Sequence, residues 1–161
     1  MLQVKNKQSS SYSLKFNYFF LNGGFGKKVV SYLIKKGKKQ KAELLVYKSL
    51  IELRSLTNSN LELMYLKKAL LLVLPFYEIR SFKSRGQVSI TTIPVYNKKR
   101  RLFLVFKSLL SFLKKQPKAF YKKFSFVLFQ IIKKEGPFYN AFQKSVSQSI
   151  KQYPKMHFRW S

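Results

Sequence analysis

Apolar residues recur at helical spacing through most of this chain. Val29, Val30, Leu33 and Ile34 form one stripe and predict a first helix over residues 25–36. Gly37, directly after Lys35 and Lys36, is a stop signal, because glycine takes the left-handed turn that ends a helix. A second stripe, Ala42, Leu45, Val46, Ser49, Leu50 and Leu53, predicts a helix over about 40–56. Residues 57–60 read as a loop. Ser59 and Glu62 stand at capping-box spacing and predict the start of a third helix, which Pro75 ends. The period then changes. Residues 76–84 alternate weakly and 88–95 are rich in β-branched residues, with Ser84, Arg85, Gly86 and Gln87 between them, so a β-hairpin is predicted. Val88 and Ile90 lie on one face of the second strand, Ile93 and Val95 on the other. That phase shift predicts a bulge near Thr91 and Thr92. Pro94 belongs at an edge or a strand end.

Helical spacing returns after the hairpin. Leu102, Val105, Phe106, Leu109, Leu110 and Leu113 predict a fourth helix over about 98–115. Beyond Pro117, a fifth is predicted over 119–134 from Phe120, Phe124, Val127, Leu128, Ile131 and Ile132. Phe106, Phe120 and Phe124 are therefore expected in the core, while Phe126 and Phe129 fall off the stripe and are expected to face RNA or another protein. Gly136 and Pro137 interrupt, and a weaker, Ser- and Gln-rich sixth helix is expected over about 139–153, before Pro154. The predicted class is a mainly α, single domain of about six helices with one projecting β-hairpin between helices three and four. Residues 1–22 are polar, basic and aperiodic and are expected to form a flexible arm; residues 23–161 form the domain, with the ribbon at about 76–96.

Charge changes the picture most. Lys and Arg total 33 against five acids, a formal charge of +28 on 161 residues. A lone domain with that balance repels itself and attracts polyanions. With 17% aromatic residues, RNA is the favoured polyanion, because rings and guanidinium planes stack on unpaired bases. Cysteine is absent, so no disulfide or thiolate metal site exists. His157 is the single histidine and the carboxylates are five dispersed glutamates, which assemble neither a triad nor a metal cluster. Catalytic residues, metal ligands and cofactors are accordingly expected to be none. Glu62 is expected to cap a helix, and Glu43 and Glu52 to pair with nearby lysines. The longest apolar run, 69–76, is far short of a membrane span. The first 22 residues hold Lys but no Arg, so no Arg-rich transit peptide is expected.

Lysine pairs recur at predicted helix ends and loops, and too few acids exist to balance them. Lys27 and Lys28 stand near the start of helix one, where they oppose the helix dipole; that placement makes sense with phosphate beside them. Arg80 and Arg85 lie on the slender hairpin, whose usual use is reach into a groove.

Three blocks of residues resemble ribosomal protein seven of the small subunit. The first is Phe25-Gly26, a helix, then Gly37-Lys38-Lys39, Ala42-Glu43 and Val46-Tyr47. The second is Pro75, Glu78-Ile79-Arg80-Ser81, a basic turn with Gly86, a strand with Pro94, and Arg100-Arg101. The third is His157-Phe158-Arg159-Trp160. Their order and spacing span residues 25–160. Departures include a shorter first helix, a single glycine at the ribbon tip, Ser108 in place of a tryptophan, and Glu135-Gly136-Pro137-Phe138 in place of a basic stretch.

The resemblance implies a structural protein that binds small-subunit ribosomal RNA in the 3′ major domain, or head, and helps assemble it. It implies neighbouring head and platform proteins as partners, and a ribbon and C-terminal helix near exit-site transfer RNA and message. By position it carries RNA contact to Lys27, Lys28, Lys38, Lys39, Arg80, Lys83, Arg85, Arg100, Arg101, Lys107 and Arg159. Arg159 and Trp160 are expected to pin the C-terminus to the body. Heavy use of Lys, Phe and Tyr, which AT-rich codons specify, favours a mitochondrial copy, with a plastid as the alternative. Two competing readings share the charge: a sequence-independent DNA-compacting protein of an organelle nucleoid, and a peripheral membrane protein with basic amphipathic helices. The second ranks last, since the helices of the resembled family pack on one another, and no membrane partner is expected.

Overall fold

The computed structural model describes residues 24–58, 60–84, 86–117 and 119–152. Six helices and one hairpin follow in order: α1 Gly24–Leu33, α2 Lys39–Thr57, α3 Glu62–Leu72, β1 Tyr77–Ser84, β2 Gln87–Pro94, α4 Lys98–Lys114, α5 Phe120–Ile132 and α6 Pro137–Lys151. The mainly α class and the place of the hairpin between the third and fourth helices are as expected. The arm over residues 1–22 lies outside the described residues.

Most of the predicted stripes are the buried faces. Val29, Val30 and Leu33 of α1, Ala42, Val46, Leu50 and Leu53 of α2, Val105, Phe106, Leu109 and Leu113 of α4, and Phe124, Val127, Leu128 and Ile131 of α5 all join one core. Helix α5 is the hub, packing against α2, α3, α4 and α6. Its buried Ser125 keeps its hydroxyl satisfied by donating to the Tyr121 and Lys122 carbonyls within the same helix, which lets a small polar residue sit at a close helix contact. Tyr32 of α1 stacks on Phe106 of α4 at 4.8 Å, and Phe112 of α4 meets Phe138 of α6 at 5.5 Å, so aromatic pairs tie the outer helices to the body.

Several boundaries differ from the sequence reading for physical reasons. Helix α1 stops at Leu33, because both Lys36 and Gly37 have positive φ, at 51° and 71°. The chain therefore turns before Lys36 can extend the helix. Ser59, one half of the predicted capping box, lies outside the described residues. Leu61 occupies the N-cap of α3 without a side-chain hydrogen bond, and Glu62 lies 3.8 Å from Arg54. Glu43 pairs with Lys39 at 3.8 Å as expected for an i,i+4 pair, whereas Glu52 makes no ion pair among the described residues. Asn97, not singled out from the sequence, caps α4 by accepting from the Lys99 amide at 2.9 Å. Phe126 is exposed, but Phe129 is half-buried against the core with Lys133 over its ring at 4.6 Å.

The hairpin contains no bulge. Its register runs unbroken from Tyr77↔Pro94 to Ser84↔Gln87. The apparent phase shift reflects burial that changes along the ribbon. Val88 and Ile90 are 60% and 56% exposed near the tip, while Thr92, on the same face at the base, is buried at 3%. The ribbon is anchored at its base and projects at its tip. A two-residue connection closes it, and Gly86 supplies the positive φ of 80° that such tight turns demand.

Gly136, at φ 93° and ψ 163°, occupies a region essentially restricted to glycine and swings the chain into α6. A Cβ there would also sit 2.7 Å from the Gln130 side chain. Gly136→Ala should destabilise the fold by about 1–3 kcal/mol in chemical denaturation, mostly from backbone strain.

Candidate nucleic-acid interface

The basic residues that open α1 and α4 occupy positions that a helix on its own disfavours. Helix α4 opens with Lys98, Lys99, Arg100 and Arg101, with no acid in its first turn. Helix α1 carries Lys27 and Lys28 near its start, again with no acid. Positive side chains at a helix N-terminus oppose the macrodipole, so an external anion there would stabilise both helices.

Ring contacts join these elements into one face. Tyr32 lies one helical turn beyond Lys28 on α1 and approaches Phe103 of α4 at 6.2 Å. Arg100 lies over the same Phe103 ring at 5.3 Å. Arg100, Phe103 and Lys107 follow i, i+3, i+7 spacing and share one side of α4. Phe103 is 39% exposed, a ring presented to solvent between cations. Beside this face, Arg101 projects its guanidinium over exposed Phe76 at 4.6 Å and donates from Nε to the Val95 carbonyl. Arg101 therefore clamps the ribbon base to α4 and is only partly free for RNA.

Glu78 organises the junction. Arg100 donates to both its carboxylate oxygens, at 2.6 and 3.2 Å, and Arg80 donates to Oε2 at 3.1 Å. One carboxylate thus holds a strand arginine and a helix arginine together, which sets the angle between ribbon and α4. Partial burial raises the Glu78 pKa, but the hydrogen bonds from Arg100 and Arg80, with their charges, outweigh it and hold the carboxyl below its ordinary value. The hydrogen bond to Glu78 raises the Arg100 pKa in turn. Because the folded-state pKa of Glu78 is lowered, its contribution is present above the unfolded carboxylate pKa and is lost as pH falls through the folded value. The melting-temperature difference between wild type and Glu78→Gln should be constant near neutrality and vanish in acid. A difference that persists at low pH would mean that the carboxylate charge is not what holds the junction.

The remaining predicted residues divide by place. Lys38 and Lys39 are exposed at the opposite end of α1 from Lys27 and Lys28, so the two lysine blocks stand apart. Lys83 is exposed on the ribbon, and Lys107 is exposed on α4. Arg80 and Arg100 keep 48% and 42% of their side-chain area in solvent despite Glu78. Arg85 and Arg159 lie outside the described residues, as does the expected anchoring of the tail by Arg159 and Trp160. Lys123, one of a pair on the basic list, instead donates to the Leu113 and Gln116 carbonyls and closes the C-terminal end of α4. Sequence reasoning missed Phe103; its i+3 place after Arg100 was the available signal. Glu78 was read only as a letter of a motif. Among the described residues no group of His, Cys, Asp or Glu could hold a metal ion, and no helix is long and apolar enough to cross a membrane.

A helical body with a projecting ribbon, and a cationic face interleaved with aromatic rings, is the build of a structural RNA-binding protein. The chain belongs to the ribosomal protein S7p/S5e family, whose model matches residues 4–149. It is a small-subunit ribosomal protein that binds ribosomal RNA, in a family of structural proteins rather than enzymes. The match begins inside the segment expected to be an arm. No individual curated protein matches the chain.

Proposed function

We propose that this protein binds a multi-helix junction in the 3′ major domain of small-subunit ribosomal RNA and helps fold the head around it. The face running from Lys28 through Tyr32 and Phe103 to Arg100 and Arg80 carries this reading. It joins phosphate-binding cations to a ring that stacks on an unpaired base, a combination suited to an irregular RNA junction rather than to a uniform duplex. The ribbon, with Lys83 near its exposed end, extends toward exit-site transfer RNA and message together with α6. Exposed apolar side chains such as Met64 of α3 and Phe126 of α5 offer surfaces to neighbouring head and platform proteins. The host particle is the mitochondrial small subunit, a reading supported by the Lys-, Phe- and Tyr-rich composition.

Competition between a head-junction RNA fragment and duplex DNA of equal charge, at matched salt, tests the function. The junction RNA should win clearly, and Phe103→Ala should reduce that preference. Equal affinity would favour the DNA-compacting reading. Mass spectrometry of purified mitochondrial small subunits should recover the chain; recovery only from plastid subunits would overturn the localisation.

A further inference from the structure

Glu78 stands on a cationic face, where an acid is expected to oppose the binding of RNA. Its side chain keeps only 15% of its area in solvent, against 48% for Arg80 and 42% for Arg100. The carboxylate therefore sits behind the arginines, and the arginines face outward. The other ion pairs among the described residues, Lys39–Glu43 and Arg54–Glu62, are single contacts at 3.8 Å. Those at Glu78 are hydrogen bonds of 2.6, 3.1 and 3.2 Å.

Arg100 is held on two sides. Nε and Nη2, along one edge of its guanidinium, donate to Oε2 and Oε1 of Glu78. The Phe103 ring faces the flat of the same group at 5.3 Å. A guanidinium carries its N–H donors in a rigid plane. No hydrogen bond among the described residues engages the edge formed by Nη1 and Nη2. That edge is a fork that matches the non-bridging oxygens of a phosphodiester. Arg80, bonded to the same carboxylate through Nη2, brings a second guanidinium beside it. Without Glu78 the like charges would repel, and each long side chain would sample many rotamers.

We propose that Glu78 is a positioning residue for RNA binding: it holds Arg100 so that the free Nη1–Nη2 edge clamps one phosphodiester of the bound RNA. The proposal rests on the RNA-junction reading above and adds that a carboxylate on this face strengthens binding. Charge counting alone gives the opposite sign, because removing an acid makes the face more positive. The clamp reverses that sign, since an arginine already held in place loses less conformational freedom on meeting phosphate.

Affinities of full-chain variants for the head-junction RNA fragment, at one moderate salt and well below each melting temperature, test this. Glu78→Gln should weaken binding by about three- to tenfold, the cost of immobilising one long side chain. Arg100→Lys keeps the charge but loses the fork, and should lose a similar factor. In the Arg100→Lys background, Glu78→Gln should cost little more, because both changes act through one contact. Glu62→Gln removes an equal charge from α3 and should not weaken binding. Glu78→Gln binding as tightly as wild type, or tighter, would overturn the proposal. So would a full additional loss in the double variant, or an equal loss in Glu62→Gln. If Glu78→Gln does not fold, Arg100→Lys decides alone, and wild-type affinity there overturns the clamp. The wild-type preference for junction RNA over duplex DNA judges the underlying reading, while the ratios of variant to wild type judge the role of Glu78, so the two fail separately.

Discussion

Raising salt from about 50 to about 200 mM should weaken binding to the ribosomal RNA junction by roughly 10³–10⁵. That range corresponds to about six to ten phosphates neutralised, each releasing condensed counterions. The structure supplies cations enough for this number in exposed positions: Lys27, Lys28, Lys38, Lys39, Lys83, Lys98, Lys99 and Lys107, with Arg80 and Arg100 half free at the Glu78 junction. Arg101 and Lys123 are not counted, because both donate to backbone carbonyls inside the fold. Lys107→Gln should reduce the slope of log affinity against log salt by about one. Arg101→Gln should do less to the slope and more to the ribbon, because it breaks the clamp at the Val95 carbonyl. A flat salt response would remove the electrostatic account of binding. The same coupling stabilises the protein: RNA at a hundredfold excess over Kd adds about 2.7 kcal/mol. That is a large share of a typical 5–15 kcal/mol, so the melting temperature should rise on adding the junction fragment.

Deleting residues 82–89 and closing Ser81 to Ile90 with a two-residue Asn-Gly turn should leave the helical body folded while lowering RNA affinity and impairing translation. Ser81 and Ile90 are directly paired, so the shortened hairpin keeps its register. Among the described residues, none from either strand belongs to the core cluster, and Val88 and Ile90 are largely in water. Base contacts by Thr92, Arg101 and Glu78 remain in place. The deletion removes Lys83 and Arg85, so the salt slope should drop by about two if both meet phosphate. Loss of the far-UV helical signal would show instead that the ribbon is part of the folding unit. A truncation of the core behaves in the opposite sense: Phe124→Ala should cost about 3–5 kcal/mol, a typical loss for a fully buried ring.

The helices were legible because their signal is local. Burial of one side of a helix writes a 3.6-residue period into the chain, and the stripes of α1, α2, α4 and α5 are largely the buried faces. The hairpin was legible from its change of period and its Gly86 turn. The predicted bulge was wrong for an instructive reason: the apolar residues change face along the strand because Val88 and Ile90 lie on a projecting tip where apolar residues stay in water, while Val95 is buried at the base. Spacing likewise did not show that Leu61 would take the N-cap of α3, or that Glu62 would find Arg54. Phe129 deceived in the other direction, since α5 is surrounded by four helices and buries more than one stripe.

By itself, the sequence determined the six helices of the described residues, the site of the hairpin, the excess of positive charge and the family resemblance. Each depends on residue type, local spacing or total composition, which folding does not alter. Only the tertiary structure decided which cations are free. Glu78 and Arg100 are 22 positions apart and meet through two hydrogen bonds, while Lys123 reaches back to Leu113 and Arg101 to Val95. Such pairings depend on where packing brings helix ends and ribbon base together, and no local period records them. The face from Lys28 to Arg80 likewise arises because Tyr32 stacks on Phe106, bringing α1 beside α4.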